Sequence, residues 1–372
     1  MIRKKTVEFI KNLNLLNINY KLIHITGTNG KGSVANYIAN SLFALNKNVG
    51  KFSSPHVLEE NERISFNSKN ITNEELSIYK EKLKKEEENF KIELEYFEKF
   101  FVLSLMYFRD KNPDYVVMEV GIGAKDDITN IIDKKELTVF TKIGVDHEAT
   151  LGSTVEEVAE NKSYLMREGT FSVSYFQKKS VEYILTKKSN NEIEFLKKED
   201  FTFLEDGFLY KGIYFNGKYP IYKPYNIGLS ILALEKLGFE VNSKVINAIN
   251  KSYLPGRFQI FRKKSTIIVD GAHNEEALLS LFKNFDRKVY LIYQSRFDKN
   301  VEDVLEKLEK KTKMITITEI DDVKGHEFKK YNHINNLKEA IDFNLKMADK
   351  EDIILITGSL YLAGSAIRVL EE

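Results

Sequence analysis

A lysine and a serine, Lys31 and Ser33, stand in the run Gly27-Thr28-Asn29-Gly30-Lys31-Gly32-Ser33. In such a loop, glycines let backbone N–H groups turn toward an anion. A lysine there supplies a point charge for the outer phosphates of a nucleotide, and a hydroxyl offers an oxygen to Mg²⁺. Thr28, Asn29, Gly30, Lys31, Gly32 and Ser33 are therefore the candidate phosphate-binding residues. The general P-loop pattern places Ser or Thr directly after Gly-Lys, and here Gly32 intervenes.

Carboxylates and a histidine follow. Glu119-Val120-Gly121-Ile122-Gly123 leads into Asp126, Asp127, Thr129 and Asn130. A carboxylate such as Glu119, delivered at the carboxyl end of a parallel strand, suits Mg²⁺, which takes one or two carboxylates besides phosphate oxygens and water. Gly-x-Gly with acids nearby is also an ordinary turn. Asp146-His147 reads in two ways, as a surface turn or as a site pair leaving its strand at the same sheet edge. Lys162 is the most unusual residue, because it falls on the apolar helical stripe of Val155, Val158, Ala159 and Met166. Either its ammonium snorkels to water, or it is a functional lysine with a depressed pKa, whose neutral amine reacts with CO₂ to give a carbamate. Later come Pro255-Gly256-Arg257-Phe258, Asp270-Gly271-Ala272-His273-Asn274 and Thr357-Gly358-Ser359, each beside a strand or opening a helix. Arg257 is placed to reach a phosphate, and the Gly-Ser helix start is a second anion seat.

These residues need strands and helices to hold them. Nearly continuous apolar runs at Leu22–Thr26, Tyr115–Val120 and Leu137–Ile143 predict strands covered on both faces. Thr72-x-x-Glu75 opens a solvated helix to about Phe90, and Tyr96–Arg109 reads as a buried helix. Between about 170 and 221, alternating residues with Asp206-Gly207 and Asn216-Gly217 predict antiparallel strands, an edge extension of the first sheet. Helices follow at Asn226–Leu237 and Ser243–Lys251. After Gly256 strand and helix alternate again, with strands at Thr266–Asp270, Lys288–Tyr293, Met314–Thr318 and Asp352–Thr357. The expected fold class is α/β: a P-loop-containing domain with a mainly parallel sheet over 1–255, and a smaller Rossmann-like α/β domain over 256–372.

At 372 residues, two domains are the natural expectation. The net charge of +1 gives no electrostatic reason to propose nucleic acid or an anionic membrane. Cysteine is absent, which excludes disulfides, thiolate metal sites and cysteine nucleophiles. No apolar segment follows the basic start, and the densest apolar stretch, Phe100 to Phe108, is too short to span a bilayer. A cytoplasmic monomer is expected.

Together the ordered motifs resemble the Mur ligase superfamily, and most closely the folylpolyglutamate synthase/dihydrofolate synthase family. They include Ser53-Ser54-Pro55-His56 with Glu62-Arg63-Ile64, and Leu151-Gly152, besides those above. The inserted Gly32 is that family's form of the loop. The resemblance implies a Mur-ligase-like ATP-binding domain and a glutamate-ligase domain. It implies ATP and two Mg²⁺ ions, with Ser33 and Glu119 on the first ion and Ser54, Glu119 and His147 on the second. Lys31 then matches the phosphate-binding lysine and Lys162 the lysine carbamylated in many relatives. Arg257, Asp270 and Asn274 match ATP contacts, and His273, Lys299 and Ser359 match residues that hold the incoming glutamate. The catalytic set implied is Lys31, Glu119, His147, Lys162 and His273.

The implied activity is ATP-dependent addition of L-glutamate to a folate or dihydropteroate carboxylate through an acyl phosphate, with domain closure about Pro255-Gly256 assembling the site. Departures from the family pattern fall at Ala124-Lys125, Asn161 and Tyr222-Lys223. The alternatives are a Mur ligase with a UDP-linked peptidoglycan precursor, a P-loop GTPase or motor, which the missing strict motif disfavours, and a catalytically weakened nucleotide-binding paralogue.

Overall fold

The computed structural model describes residues 3–190, 192–295, 302–320, 328 and 330–372. The chain divides into two compact units, Met1–Lys218 with Lys223–Ser252, and Tyr219–Tyr222 with Tyr253–Glu372.

The first unit runs α1 (Lys4–Asn12), β1 (Lys21–Thr26), α2 (Lys31–Ala44), β2 (Val49–Phe52), β3 (Ile64–Phe66), β4 (Lys69–Asn70), α3 (Asn73–Phe90), α4 (Tyr96–Lys111), β5 (Tyr115–Glu119) and β6 (Leu137–Phe140). It continues through α5 (Glu148–Leu151), α6 (Val155–Ser163), β7 (Ser172–Ser174), α7 (Lys179–Lys188), β8 (Ile193–Phe195), β9 (Phe201–Phe203), β10 (Gly207–Tyr210), β11 (Ile213–Asn216), α8 (Lys223–Lys236) and α9 (Ser243–Lys251). Its main sheet has the order β4-β3-β2-β5-β1-β6-β7-β8. The strands from β2 to β8 in that order are parallel, and β3 and β4 form an antiparallel edge. β1, β5 and β6 are almost wholly buried, as their unbroken apolar runs require when helices cover both faces. α3 is capped by reciprocal bonds between Thr72 and Glu75, and every residue of α4 from Phe100 to Phe108 is buried.

Residues 170–221 differ from the sequence expectation. β7 and β8 are parallel strands joined by α7, so they continue the main sheet in its own sense. The antiparallel meander is confined to β9, β10 and β11, which form a separate three-stranded sheet. The fully buried apolar residues of α7 are Val181 and Leu185, four apart, with Ile184 packed partly buried beside them, and so narrow a stripe is easily read as strand alternation. The β10–β11 hairpin turns at Lys211-Gly212, both with positive φ, while Asn216-Gly217 marks the end of β11 rather than a hairpin. Lys-Gly has the dihedrals of the favoured two-residue turn without its usual asparagine.

The second unit holds β12 (Gln259–Arg262), β13 (Thr266–Val269), α10 (Glu275–Phe282), β14 (Val289–Tyr293), α11 (Glu302–Glu309), β15 (Thr312–Ile317), β16 (Asn332–His333), α12 (Leu337–Met347), β17 (Ile353–Thr357) and α13 (Leu360–Glu371). Its sheet has the order β12-β13-β17-β14-β15-β16, antiparallel only at β12. The last long strand, β17, thus inserts between β13 and β14, and the carboxyl ends of all three lie side by side. Among the described residues no helix is long and apolar enough to cross a membrane.

Candidate active site

In the first unit, β5, β1 and β6 are adjacent and parallel, so Glu119, the Gly27–Ser33 loop and the segment leading to His147 leave the sheet at the same edge. The loop is stitched to the chain after β6. Thr28 and Asn29 donate backbone N–H bonds to Lys142 O, and the Thr28 hydroxyl donates to Gly144 O at 2.8 Å. Gly27 has φ of 144°, and a Cβ there would lie 1.9 Å from Thr141 Oγ1. Glycine is therefore obligatory where β1 turns into the loop.

Lys31 is the first residue of α2, and its Nζ folds back to Gly27 O at 3.2 Å and Thr28 O at 3.4 Å. Gly32 lies against Glu119, with the position of a Cβ only 3.5 Å from Oε2. The same carboxylate oxygen accepts the Ser54 backbone N–H at 3.2 Å. Ser33 is buried in the first turn of α2 and Glu119 at the end of β5. One hydroxyl and one carboxylate at a helix start fit Mg²⁺ whose shell is completed by phosphate oxygens and water. Among the described residues no group of three or more acidic, histidine or cysteine side chains converges on a metal site.

His147 is exposed, with φ of 54°, and its backbone N–H donates to Asp146 Oδ1 at 2.8 Å. The surface turn and the sheet-edge position are thus both present. Lys162 does not snorkel. It is 3% exposed and donates to Gly27 O at 2.9 Å, the carbonyl that Lys31 also contacts. Burial, reinforced by Lys31, pulls its pKa down to about 7, against the opposing pull of Asp146 and Asp127.

Two of the family departures prove to be one contact. Asn161 Oδ1 accepts the backbone N–H groups of Ala124 at 3.0 Å and Lys125 at 3.3 Å, bracing the loop after Glu119 from the residue beside Lys162. The Lys125 ammonium lies 5.1 Å from the centre of the Tyr164 ring.

Asp127 holds the other side of that loop. One carboxylate oxygen accepts Ile122 N, and the other accepts Thr129 N and the Thr129 hydroxyl at 2.6 Å. With its proton spent on Asp127, that hydroxyl accepts from His24 Nε2 at 2.9 Å. Burial, with Lys135 and Arg167 adding to it, keeps His24 well below its ordinary pKa and therefore neutral. Sequence reasoning missed this relay, since a histidine inside an apolar strand carries no sign of its partner. It also missed Lys51, buried on β2 and bonded to Asn36 Oδ1 at 3.0 Å. Burial lowers Lys51 to about 8, against the pull of Glu119 and Glu62. A lysine within Val49-Gly-Lys-Phe52 was a readable signal, because the other members of that strand are apolar.

In the second unit, Asp270 after β13 accepts three hydrogen bonds. Its Oδ2 accepts the Tyr222 hydroxyl at 2.7 Å and Phe258 N at 2.8 Å, and its Oδ1 accepts Ala272 N at 2.9 Å. Burial raises its pKa, while Arg257 and these bonds oppose the rise. The departure at Tyr222 is therefore a partner of the candidate nucleotide-binding carboxylate, and Ile221 N, bonded to Asn284 Oδ1 at 2.7 Å, anchors the same short segment. Arg257 lies against Gly271. His273 donates from Nδ1 to Gly271 O at 2.9 Å. Asn274 caps α10 through Ala277 N, and Ser359 caps α13 through Leu362 N. Lys299 lies outside the described residues.

Residues 25–206 match the Mur ligase middle domain, and residues 256–360 match the Mur ligase glutamate ligase domain. The chain is 29% identical to a dihydrofolate synthase/folylpolyglutamate synthase of Buchnera aphidicola subsp. Schizaphis graminum, over 97% of this chain and 91% of that protein. It is 28% identical to the protein of the same name from Bacillus subtilis, over 92% and 88% of the two chains. Its fold is similar to that of Mycobacterium tuberculosis folylpolyglutamate synthase complexed with ADP and AMPPCP, with a TM-score of 0.88 and 23% identity over 99% of this chain and 95% of that one. A bifunctional folylpolyglutamate synthase/dihydrofolate synthase with Mn, AMPPNP and L-glutamate bound gives a TM-score of 0.85 at 22% identity, over 100% and 95% of the chains.

Proposed function

This chain belongs to the Mur ligase family, in its folylpolyglutamate synthase/dihydrofolate synthase branch, and from that premise we propose that it joins L-glutamate to a folate or dihydropteroate carboxylate at the expense of ATP. The observation that carries this reading is the crowding of Lys31 and Lys162 onto one carbonyl, Gly27 O, at a sheet edge shared with Glu119.

A carboxylate resists an amine because its carbonyl is electron-rich and oxide would have to leave. A carboxylate oxygen of the acceptor attacks the γ-phosphorus, the bond from that phosphorus to the β-bridging oxygen breaks, and ADP departs. Lys31 leaves its own loop carbonyls for the phosphates, and the N–H groups of Gly30 to Ser33 supply the cradle. Ser33 and Glu119 would hold one Mg²⁺, and Ser54, Glu119 and His147 a second. Bound there, the metal supplies charge neutralisation during transfer. The amine of L-glutamate attacks the acyl phosphate carbonyl, its proton passes to a base, and the C–O bond to phosphate breaks. His273 is assigned that proton, and Ser359 and Lys299 the binding of glutamate.

Arg257, Asp270 and Asn274 are assigned to ATP. Tyr222 holds Asp270 in place, and the Asn274 carbonyl is already spent on its helix cap. Lys162, held as a desolvated amine, is chemically able to form a carbamate, whose new carboxylate would then face the phosphate loop.

The test is phosphate release from ATP with dihydropteroate and tetrahydrofolate side by side and labelled glutamate. Release should require both the pterin carboxylate and glutamate. If no release is seen with any folate or pteroate, the reading is wrong.

A further inference from the structure

Gln294 follows β14 directly, at the point where the ends of β13, β17 and β14 lie side by side. It is 1% exposed, and its Nε2 has no hydrogen-bond partner among the described residues. Its other amide atom, Oε1, accepts the hydroxyl of Ser359 at 2.9 Å. That hydroxyl oxygen also accepts Leu362 N at 3.0 Å, while its proton goes to Oε1. The amide is thereby fixed in one orientation, with Nε2 left as the buried, unmade donor beside the amino end of α13.

The backbone makes this arrangement compulsory. Register pairs Tyr293 with Thr357, which brings Gln294 against Gly358. Gly358 has φ of 124°, and a Cβ there would stand 2.4 Å from Gln294 O. The close approach lets Ser359 reach across to the Gln294 amide. The result is a buried donor without an acceptor, next to the positive end of a twelve-residue helix. A buried unmade donor costs free energy, and both features favour the same kind of ligand, an anion with an acceptor oxygen.

We infer that Gln294 donates its side-chain N–H to a carboxylate of the incoming amino acid, and that Ser359 acts behind it by orienting the amide. This rests on the ligase reading above and sharpens it. Ser359, matched by resemblance to glutamate binding, has its proton committed to Gln294, whose Nε2 adds a donor beside it.

The experiment uses the full chain. Gln294→Met keeps the volume and removes the donor; Gln294→Glu keeps the shape and sets an acceptor against the ligand. Gln294→Met should raise KM for L-glutamate at least about tenfold, with KM for ATP within about twofold, and Gln294→Glu should raise it further. A second measurement needs no substitution. The chain has three glutamines, Gln177, Gln259 and Gln294, so ¹⁵N-glutamine labelling gives three side-chain amide signals. Adding L-glutamate with a non-hydrolysable ATP analogue should shift one pair, the pair missing from Gln294→Met, and ethylamine should not.

Native activity with unchanged KM in both variants, or with no amide signal moving at saturating glutamate, overturns this inference and leaves the ligase reading standing. A native chain that releases no glutamate-dependent phosphate overturns both.

Discussion

The site of the first unit is built from charges, and that of the second from caps. Around Gly27 two lysines share one carbonyl, Glu119 accepts the Ser54 amide, and Asp127 and Asn161 grip the intervening loop from opposite sides. Around β13, β17 and β14, Asn274 and Ser359 cap helices, His273 bonds to its own turn, and Gln294 waits with a neutral donor. Moving charge through a phosphoryl transfer calls for fixed counter-charges that need little reorganisation. Selecting an amino acid calls for oriented donors whose cost is met only when the ligand binds. The two regions should therefore fail differently when perturbed.

The largest effect is expected in the first unit. Lys31→Ala or Glu119→Gln should lower kcat by roughly a thousandfold or more with the fold intact by circular dichroism. A kcat loss of only a few-fold would erase the contrast with the second unit. Next comes Lys162. Its native pKa of about 7 lies below the ordinary 10.5, so between those values the unfolded chain carries the extra proton and stability rises with pH. Below about pH 7 the burial penalty is present in full, and above about 10.5 it is gone. Native minus Lys162→Met unfolding free energy should climb by about 1 kcal/mol per pH unit from 7 to 10, checked by denaturant titration. Parallel curves would mean that the amine is not desolvated. Labelling with ¹³C-bicarbonate should give a carbamate signal that Lys162→Met lacks, growing as pH rises through 7 because only the neutral amine reacts.

Smaller effects should follow at the braces. Asn161→Ala should cost about tenfold in kcat by freeing the Ala124 and Lys125 amides, while Asn161→Asp, which keeps the acceptor, should recover most of it. If the aspartate is no better than alanine, those two bonds are not what position the loop. In the second unit, Tyr222→Phe removes one of three donors from the buried Asp270. It should lower stability by about 1–2 kcal/mol and raise KM for ATP a few-fold with kcat nearly unchanged. Smallest of all, Asn274→Ala should cost about 1 kcal/mol of stability through its lost helix cap. A large kcat effect there would show that the second unit also relies on rigid charge.

The same contrast governs what could be read from residues alone. Lys162 announced itself because an ammonium on an apolar stripe is out of place, and Lys51 could have been found by the same rule. Glycines with a lysine between a strand and a helix announce a phosphate seat for a similar reason. Caps make no such announcement. Ser359 and Asn274 look alike whether they end a helix or face a ligand, and Gln294 sits in a sequence that reads as an ordinary strand end. The α7 segment was misread because one pair of buried residues four apart fits a strand almost as well as a helix.

What the sequence determined by itself was the alternation of buried strands and helices, the glycine loop between β1 and α2 and the order of chemical residues along the chain. Spacing fixes these, since side-chain period and turn chemistry are local. Only the tertiary structure decided that β5, β1 and β6 are neighbours, that Lys31 and Lys162 meet at Gly27 O, that Asn161 completes the loop at Ala124, and that Tyr222 belongs to Asp270. Those are contacts between residues distant in the chain, set by strand order and by which helix covers which strand. The departing residues looked like losses one at a time, and became partners once the fold had set them side by side.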